Sequence, residues 1–539
     1  MEFTQMTRFI LAMLPLLVIL AGIALFKQSG FRMAVIGLLG VTILAVTYFK
    51  TSLSVALAGA LYGFLKALGI SVAVIFTMLM IFVMKEVGAL EVISSWIKKL
   101  VEGTEIQALF IGIGFGSFLT SLGVVTPALF PPLLLAMGFS PVASVAIAVL
   151  GYDATTSFAL LAIPITIPAE TFGLDLLAFA WKITLFLPVI SVGFSFAILW
   201  MLGGRRSIRK GFIPAVIIGL CLAGFCLTLT GINYFSGKEI IPVRLTGTIA
   251  ACLSMMVLWL FNIRERKKRA LSKTVEMDGF TSSLPRMHLL RALSPWLILA
   301  GLAFLSSISV IPAFLKNLPG QFEIVSIFDN KSVDLNILSQ VYTWILIALL
   351  LSLLVLKPTK MQIKNTLKVW FRRAWVPFVT YSVYFSISFI MAWSAMHVVE
   401  GKLIPTAFFV DYNMNQVLGN TLAAIFGQAY IFVAAGLGLF GAVVGGSETG
   451  SNVMFYGIQK RAADSILLAE NQFMTIYSSH AVAGGVASAI TPAKINNAVM
   501  TIETPKGLES LIMRKHLLIA ISLTIVTNIL SGLFIKIGL

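Results

Sequence analysis

GAVVGGSETGSNVMFYGIQ, Gly441 to Gln459, and SSHAVAGGVASAITPAKINN, Ser478 to Asn497, decide how this chain is read. Apolar runs flank both stretches. Within them Gly, Ser, Thr, Asn, a carboxylate, a His and a Lys stand where a lipid-facing helix would carry Leu and Val. Polar, non-helical backbone survives at membrane depth only when protein buries it or it lines a watery cavity. Broken helices of this kind mark ion and substrate sites in carriers.

The composition agrees with a membrane setting. Of 539 residues, 58% are hydrophobic and only 11% charged, against about 25% charged in a soluble protein. Mean hydropathy is +0.98. Long apolar runs recur, and no strand-like alternation points to a β-barrel. The expected fold is an all-α polytopic integral membrane protein with about 12–14 transmembrane helices at about 20 residues each. The net charge of +17 sits in loops between spans. The positive-inside rule explains it better than nucleic-acid binding does. Cys221, Cys226 and Cys252 fit no metal or redox spacing.

Apolar runs are expected to span near 9–26, 33–49, 53–69 and 71–88. The first has the length and flanks of a span rather than a cleaved leader. An amphipathic piece, Lys85 to Glu105, follows. Three basic loops contain Arg205 to Lys210, Arg264 to Arg291, and Lys357 to Arg373. Two spans fit between each successive pair, 211–231 with 243–262 and 292–314 with 338–356, so all three loops can be cytoplasmic. Further spans are expected at 374–398, 415–440 and 517–537. The domain reading is a membrane half 1–263, a basic cytoplasmic linker 264–291, and a second membrane half 292–539.

The first half holds its own broken region near 112–168, with prolines at 127, 131, 132, 141, 164 and 168. Proline breaks or kinks helices by removing an amide and clashing with the preceding turn. The counterpart lies near 441–497. Ser121 and Ser447, Phe130 and Phe455, Asp153 and His480, and Pro164 and Pro492 recur at nearly constant separation. Two repeats of broken helices and hairpins, expected to be inverted, follow from that match.

The polar residues suggest roles. Ser447, Thr449 and Ser451 can cap a half-helix whose amides and dipole attract an anion. Gly446 and Gly450 let a ligand approach the backbone. Asn452 extends this cluster, and Thr126-Pro127 opens a helix in the first repeat in the same way. Two opposed helix N-termini at mid-membrane suit a small carboxylate. Ionisable side chains there usually have a partner or a task. Desolvation favours the protonated form of a carboxylate, which makes Glu448 the first candidate to carry a proton. Asp153 and His480 stand at matching positions and could pair across the site, or form a structural ion pair. Lys494 is expected to snorkel to the interface, with a substrate or structural role as the alternative. Thr120 and Ser121 are further candidates. His288, His397 and His516 read as incidental. No enzyme motif and no metal or cofactor signature stands out.

These residues resemble the L-lactate permease family. Its second-half signature, GxFLTGSDTSSNxLFGxLQ, is matched by the stretch from Gly441. Its NTTGGVTGKMISPQSIA is matched by the stretch from Ser479, and its FGTPVAISAALLVGLGF by Val125 to Phe139. A GPELP piece resembles Gly237 to Pro242. The resemblance implies a multi-pass cell-membrane importer of lactate or a related 2-hydroxy monocarboxylate, moved by proton symport without a cofactor. Its partners would be the carboxylate anion, the proton and the lipid bilayer, with no nucleic acid. The family's Asp becomes Glu448. Its Asn-Thr pairs become Tyr152-Asp153 and Ser479-His480, and its Ser-Pro-Gln becomes Thr491-Pro492-Ala493-Lys494. The acids have moved, so another organic or inorganic anion, possibly sodium-coupled, stays open, as does a membrane-embedded enzyme using Asp153 and His480.

Overall fold

Long apolar runs become helices because, in hydrocarbon, each backbone amide must bond within its own segment. The computed structural model describes the chain except residues 1–2, 25, 27, 123–125, 152, 273–286, 307–310, 312–313, 316–317, 319–324, 334, 336, 446–447 and 503–506. The opening helices are α1 (Phe3–Ala24), α2 (Gly30–Thr47), α3 (Leu53–Glu86) and α4 (Ala89–Leu100). Then α5 (Thr104–Leu109) runs through a π turn, Phe110–Phe115, into α6 (Gly116–Ser121). The first broken region continues with α7 (Thr126–Ala136), α8 (Pro141–Gly151), a 3-10 turn Thr156–Phe158, and α9 (Ala159–Phe172). After it come α10 (Leu176–Thr184), α11 (Leu187–Ser236), α12 (Thr246–Ser272) and α13 (Leu289–Ser306).

The rest comprises α14 (Val341–Leu356), α15 (Lys360–Arg373), α16 (Trp375–Ala392), α17 (Phe409–Tyr412) and α18 (Met414–Phe426). The second broken region is α19 (Ala434–Gly445), α20 (Glu448–Ser465), α21 (Glu470–Val486), a 3-10 turn Ala487–Ile490, and α22 (Pro492–Met500). The last helix is α23 (Leu508–Lys536). Among the described residues six helices are long and apolar enough to span a bilayer, or up to eight if each bent pair is one span. The protein is an all-α, multi-pass membrane protein. Its strands, among the described residues, form two hairpins, Val325–Phe328 with Lys331–Val333 and Met396–Val399 with Lys402–Pro405. They meet where the Asp329 amide donates to the Gly401 carbonyl at 3.0 Å.

Several boundaries differ from those expected. The runs 53–69 and 71–88 are one helix of 34 residues, α3. No proline interrupts it, and at 1.5 Å per residue it extends well past a hydrocarbon core of about 30 Å. Helix α11 is two helices joined where Gly203 and Gly204 leave helical geometry, Gly204 with a φ of 60°, and Arg205 to Lys210 are the helical opening of the second. The span expected at 374–398 stops at Ala392 and gives way to the second hairpin. The span expected at 415–440 is bent by 115° near Val433. Helix α12 continues to Ser272, taking up the first part of the expected linker, whose residues 273–286 lie outside the described set.

Two features position the site. Gly59 and Gly63 of α3 face the carbonyls of Phe389 and Phe385 on α16, so close that a Cβ on Gly63 would collide with backbone. Small residues spaced four apart allow this approach, and Ser386 adds a hydroxyl bond to the Ala60 carbonyl at 2.7 Å. The two broken regions follow one order: helix, break, helix, turn, helix, 3-10 turn, helix. Helix α9 of the first packs on α20 of the second, and α22 of the second packs on α7 of the first. The two regions thus interlock.

Candidate functional site

The first break begins where α8 ends. Gly151 crosses the π turn against the Gly112 carbonyl, a spot where any side chain would clash. Beyond it Leu160, Leu161 and Ala162 take left-handed conformations with φ of 53–56°. Such φ/ψ values cost about 1–2 kcal/mol per non-Gly residue and persist only when packing enforces them. Pro164 adds to the break by disfavouring helical geometry at Ile163. Asp153, Thr155, Thr156 and Ser157 lie in this stretch, all buried.

The second break brings Glu448 to the first turn of α20. Its carboxylate is 8% exposed, and its Oε1 accepts a hydrogen bond from the Ser157 hydroxyl across the junction of the two regions. Gly484 and Gly485 of α21 make room for it. A Cβ on Gly485 would lie 2.7 Å from the Thr156 Cβ and 3.0 Å from Glu448 Oε2.

The third break is the 3-10 turn Ala487–Ile490, after which Thr491-Pro492 opens α22 with proline at its favoured place. Lys494 Nζ stands 3.8 Å from Asp153 Oδ1 and bonds the Ser488 hydroxyl. At 7% exposure it is buried between the regions and does not snorkel to the interface. The helix that carries it packs against both α7 and α8. His516 stands beside this turn. It is fully buried, and its Nδ1 bonds the Ala489 carbonyl at 2.8 Å, bracing this turn. His397 lies on the exposed second hairpin.

In the break that carries Asp153 and on α22, which carries Lys494, several buried polar atoms have no hydrogen-bond partner among the described residues. They are Asp153 Oδ2, the hydroxyls of Thr155 and Thr156, and the carboxamide atoms of Asn496 and Asn497. Buried polar groups are normally satisfied.

Other expected residues make contacts within and between the two regions. Gln459 donates to His480 Nδ1 at 2.9 Å and to the Ala434 carbonyl at 3.0 Å, while its oxygen accepts from the Tyr430 hydroxyl at 3.0 Å. That fixes the amide's orientation and leaves Nδ1 as acceptor. His480 Nε2 therefore carries the hydrogen, facing Ser451 Oγ at 3.1 Å, and Ser451 donates to the Gly438 carbonyl. Both ring nitrogens are engaged within the second region, and Asp153 is paired with Lys494 instead. Asn452 donates to the Pro164 carbonyl at 3.0 Å and its own carbonyl accepts from Tyr477 at 2.7 Å, tying α20 to α9 and α21. Thr449 and Gly450 are half-buried on the first turn of α20. Thr120 and Ser121 are buried at the end of α6, with Ser121 against Gly247 of α12. Gly446, Ser447 and the side chain of Thr126 lie outside the described residues.

The profile of the L-lactate permease family matches residues 8–538. The chain belongs to this family. A permease for L-lactate from Streptococcus iniae is 26% identical over 468 residues, covering 85% of this chain and 91% of that protein. An L-lactate permease from Escherichia coli K12 is 24% identical, covering 90% and 88%. The glycolate permease GlcA of the same strain is 23% identical, covering 89% and 88%. These relatives are permeases, not enzymes. The family reading rests on motifs that the fold distributes around the junction. Ser157, Ser488 and Asn497 were not singled out in the sequence. Gln459 closes the signature that begins at Gly441, a signal that could have marked it.

Proposed function

We propose that this permease is a secondary active transporter in the cell membrane that imports a small monocarboxylate, lactate or a related 2-hydroxy acid, with a proton. One observation carries the reading: Asp153, Glu448 and Lys494 are gathered, buried, where the two broken regions interlock. With both acids ionised, the two carboxylates and one ammonium already carry one net negative charge. Uncompensated charge is expensive in a low-dielectric interior. A monocarboxylate entering this cluster adds one negative charge, and uptake of one proton restores the balance. The cluster thereby links one anion to one proton. Glu448, held by the Ser157 hydroxyl, is placed to take that proton, and Lys494 is placed to exchange Asp153 for the incoming carboxylate. The N-termini of α20 and α22 add favourable dipoles for an anion. Family membership and the names of the lactate and glycolate relatives support the same cargo class.

The test is radiolabelled L-lactate uptake into proteoliposomes under an inside-alkaline pH gradient, with sodium present or absent. Accumulation that an uncoupler abolishes and sodium leaves unchanged is the expected outcome. Accumulation that needs a sodium gradient would replace the proton with sodium. No uptake by folded protein would reject lactate.

A further inference from the structure

Lys494 and Asn497 lie three residues apart on α22, so their side chains leave the same face of the helix. Lys494 turns that face toward Asp153, just beyond α8. Asn497 is fully buried, and neither its carboxamide oxygen nor its nitrogen has a hydrogen-bond partner among the described residues. A buried carboxamide left unpaired is costly. Its neighbour Asn496 is rotated about 100° around the helix. Asn496, whose carboxamide is also unpartnered among the described residues, shares the side of Pro492, which meets Gly30 of α2, and so lies on another face of the helix from Lys494. The hydroxyls of Thr155 and Thr156, in the break that carries Asp153, are buried and unpartnered as well.

We infer that Asn497 is a specificity residue that reads a hydroxyl group on the cargo, beside the carboxylate that Lys494 receives. This rests on the carboxylate reading of the site. The chemistry matches group by group. A hydroxyl both donates and accepts, and a carboxamide offers one acceptor and two donors. Side chains three residues apart on a helix are about 5–6 Å apart at Cβ, close enough to converge on two substituents of adjacent carbons. The ligand class is therefore a 2-hydroxy acid in preference to an unsubstituted acid of the same length. A site built to bond a hydroxyl rejects the analogue lacking it, because its own polar group is then left unpaired.

The experiment compares L-lactate and propionate uptake by the full chain in proteoliposomes, for wild type, Asn497→Leu and Asn497→Ser. Wild type is expected to prefer lactate. In Asn497→Leu that preference narrows by about tenfold or more, and Asn497→Ser, which keeps one hydroxyl, falls between. The inference is overturned if wild type treats the two acids alike, or if a folded variant keeps the wild-type ratio. Should Asn497→Leu fail to fold, the ratio in Asn497→Ser decides. If wild type transports neither acid, the carboxylate reading itself fails and this inference goes with it.

Discussion

Asp153 and Lys494 face each other across the junction of the two broken regions, with Oδ1 and Nζ 3.8 Å apart and both side chains buried. Each comes from a different helix break, so the pair reports whether the two regions are interlocked. Burying one charge without the other is what makes such a pair sensitive.

Removing one partner alone should therefore destabilise strongly. Asp153→Asn or Lys494→Met is expected to cost about 3–5 kcal/mol, seen as a lowered unfolding midpoint in detergent. The double variant Asp153→Leu with Lys494→Met should recover much of that loss while transport stays abolished. A double variant as unstable as the singles would mean that the pair's role is not electrostatic.

Glu448→Gln keeps a hydrogen-bond acceptor for Ser157 but cannot change charge. Uptake driven by a pH gradient should disappear, while exchange of labelled for unlabelled substrate continues. Full gradient-driven accumulation in this variant would remove Glu448 from the coupling.

Glycine positions offer a paired steric test. Gly485→Ala places a Cβ 2.7 Å from Thr156 and 3.0 Å from Glu448 Oε2, and should cut transport by tenfold or more, about 1.4 kcal/mol in barrier terms. Gly436→Ala meets nothing within 4 Å. It should leave transport unchanged and match or slightly raise stability, by up to about 1 kcal/mol. Similar behaviour of the two variants would show that the gap beside Glu448 is not needed.

The His480 ring is predicted to carry its hydrogen on Nε2, read by nitrogen NMR of labelled protein. Gln459→Leu removes the amide that holds Nδ1 as acceptor and should cost about 1–3 kcal/mol. A hydrogen on Nδ1 in the wild type would contradict the hydrogen-bond assignment.

Read in order, the residues announced much of this. Apolar runs declared the helices, since hydrocarbon permits little else. Prolines 127, 164 and 492 and the glycines from 441 to 450 declared the breaks, because their backbones cannot continue a helix or can readily leave one. Glu448 was identifiable as an acid with no reason to be in an apolar region. The join between 53–69 and 71–88 was not legible, because two adjacent apolar runs look the same as one long helix.

What local sequence determined, then, was the helical membrane class, the two broken regions and the short roster of ionisable residues within them. What only tertiary structure decided was the pairing. Lys494 meets Asp153, Ser157 meets Glu448, and His480 is sequestered by Gln459 and Ser451. The physical reason is that backbone conformation follows from neighbouring residues, whereas the partner of a buried charge depends on which distant helix packs over it. Helices α9 and α22 each cross into the other region, and that crossing assembles the site from residues that no spacing along the chain brings together.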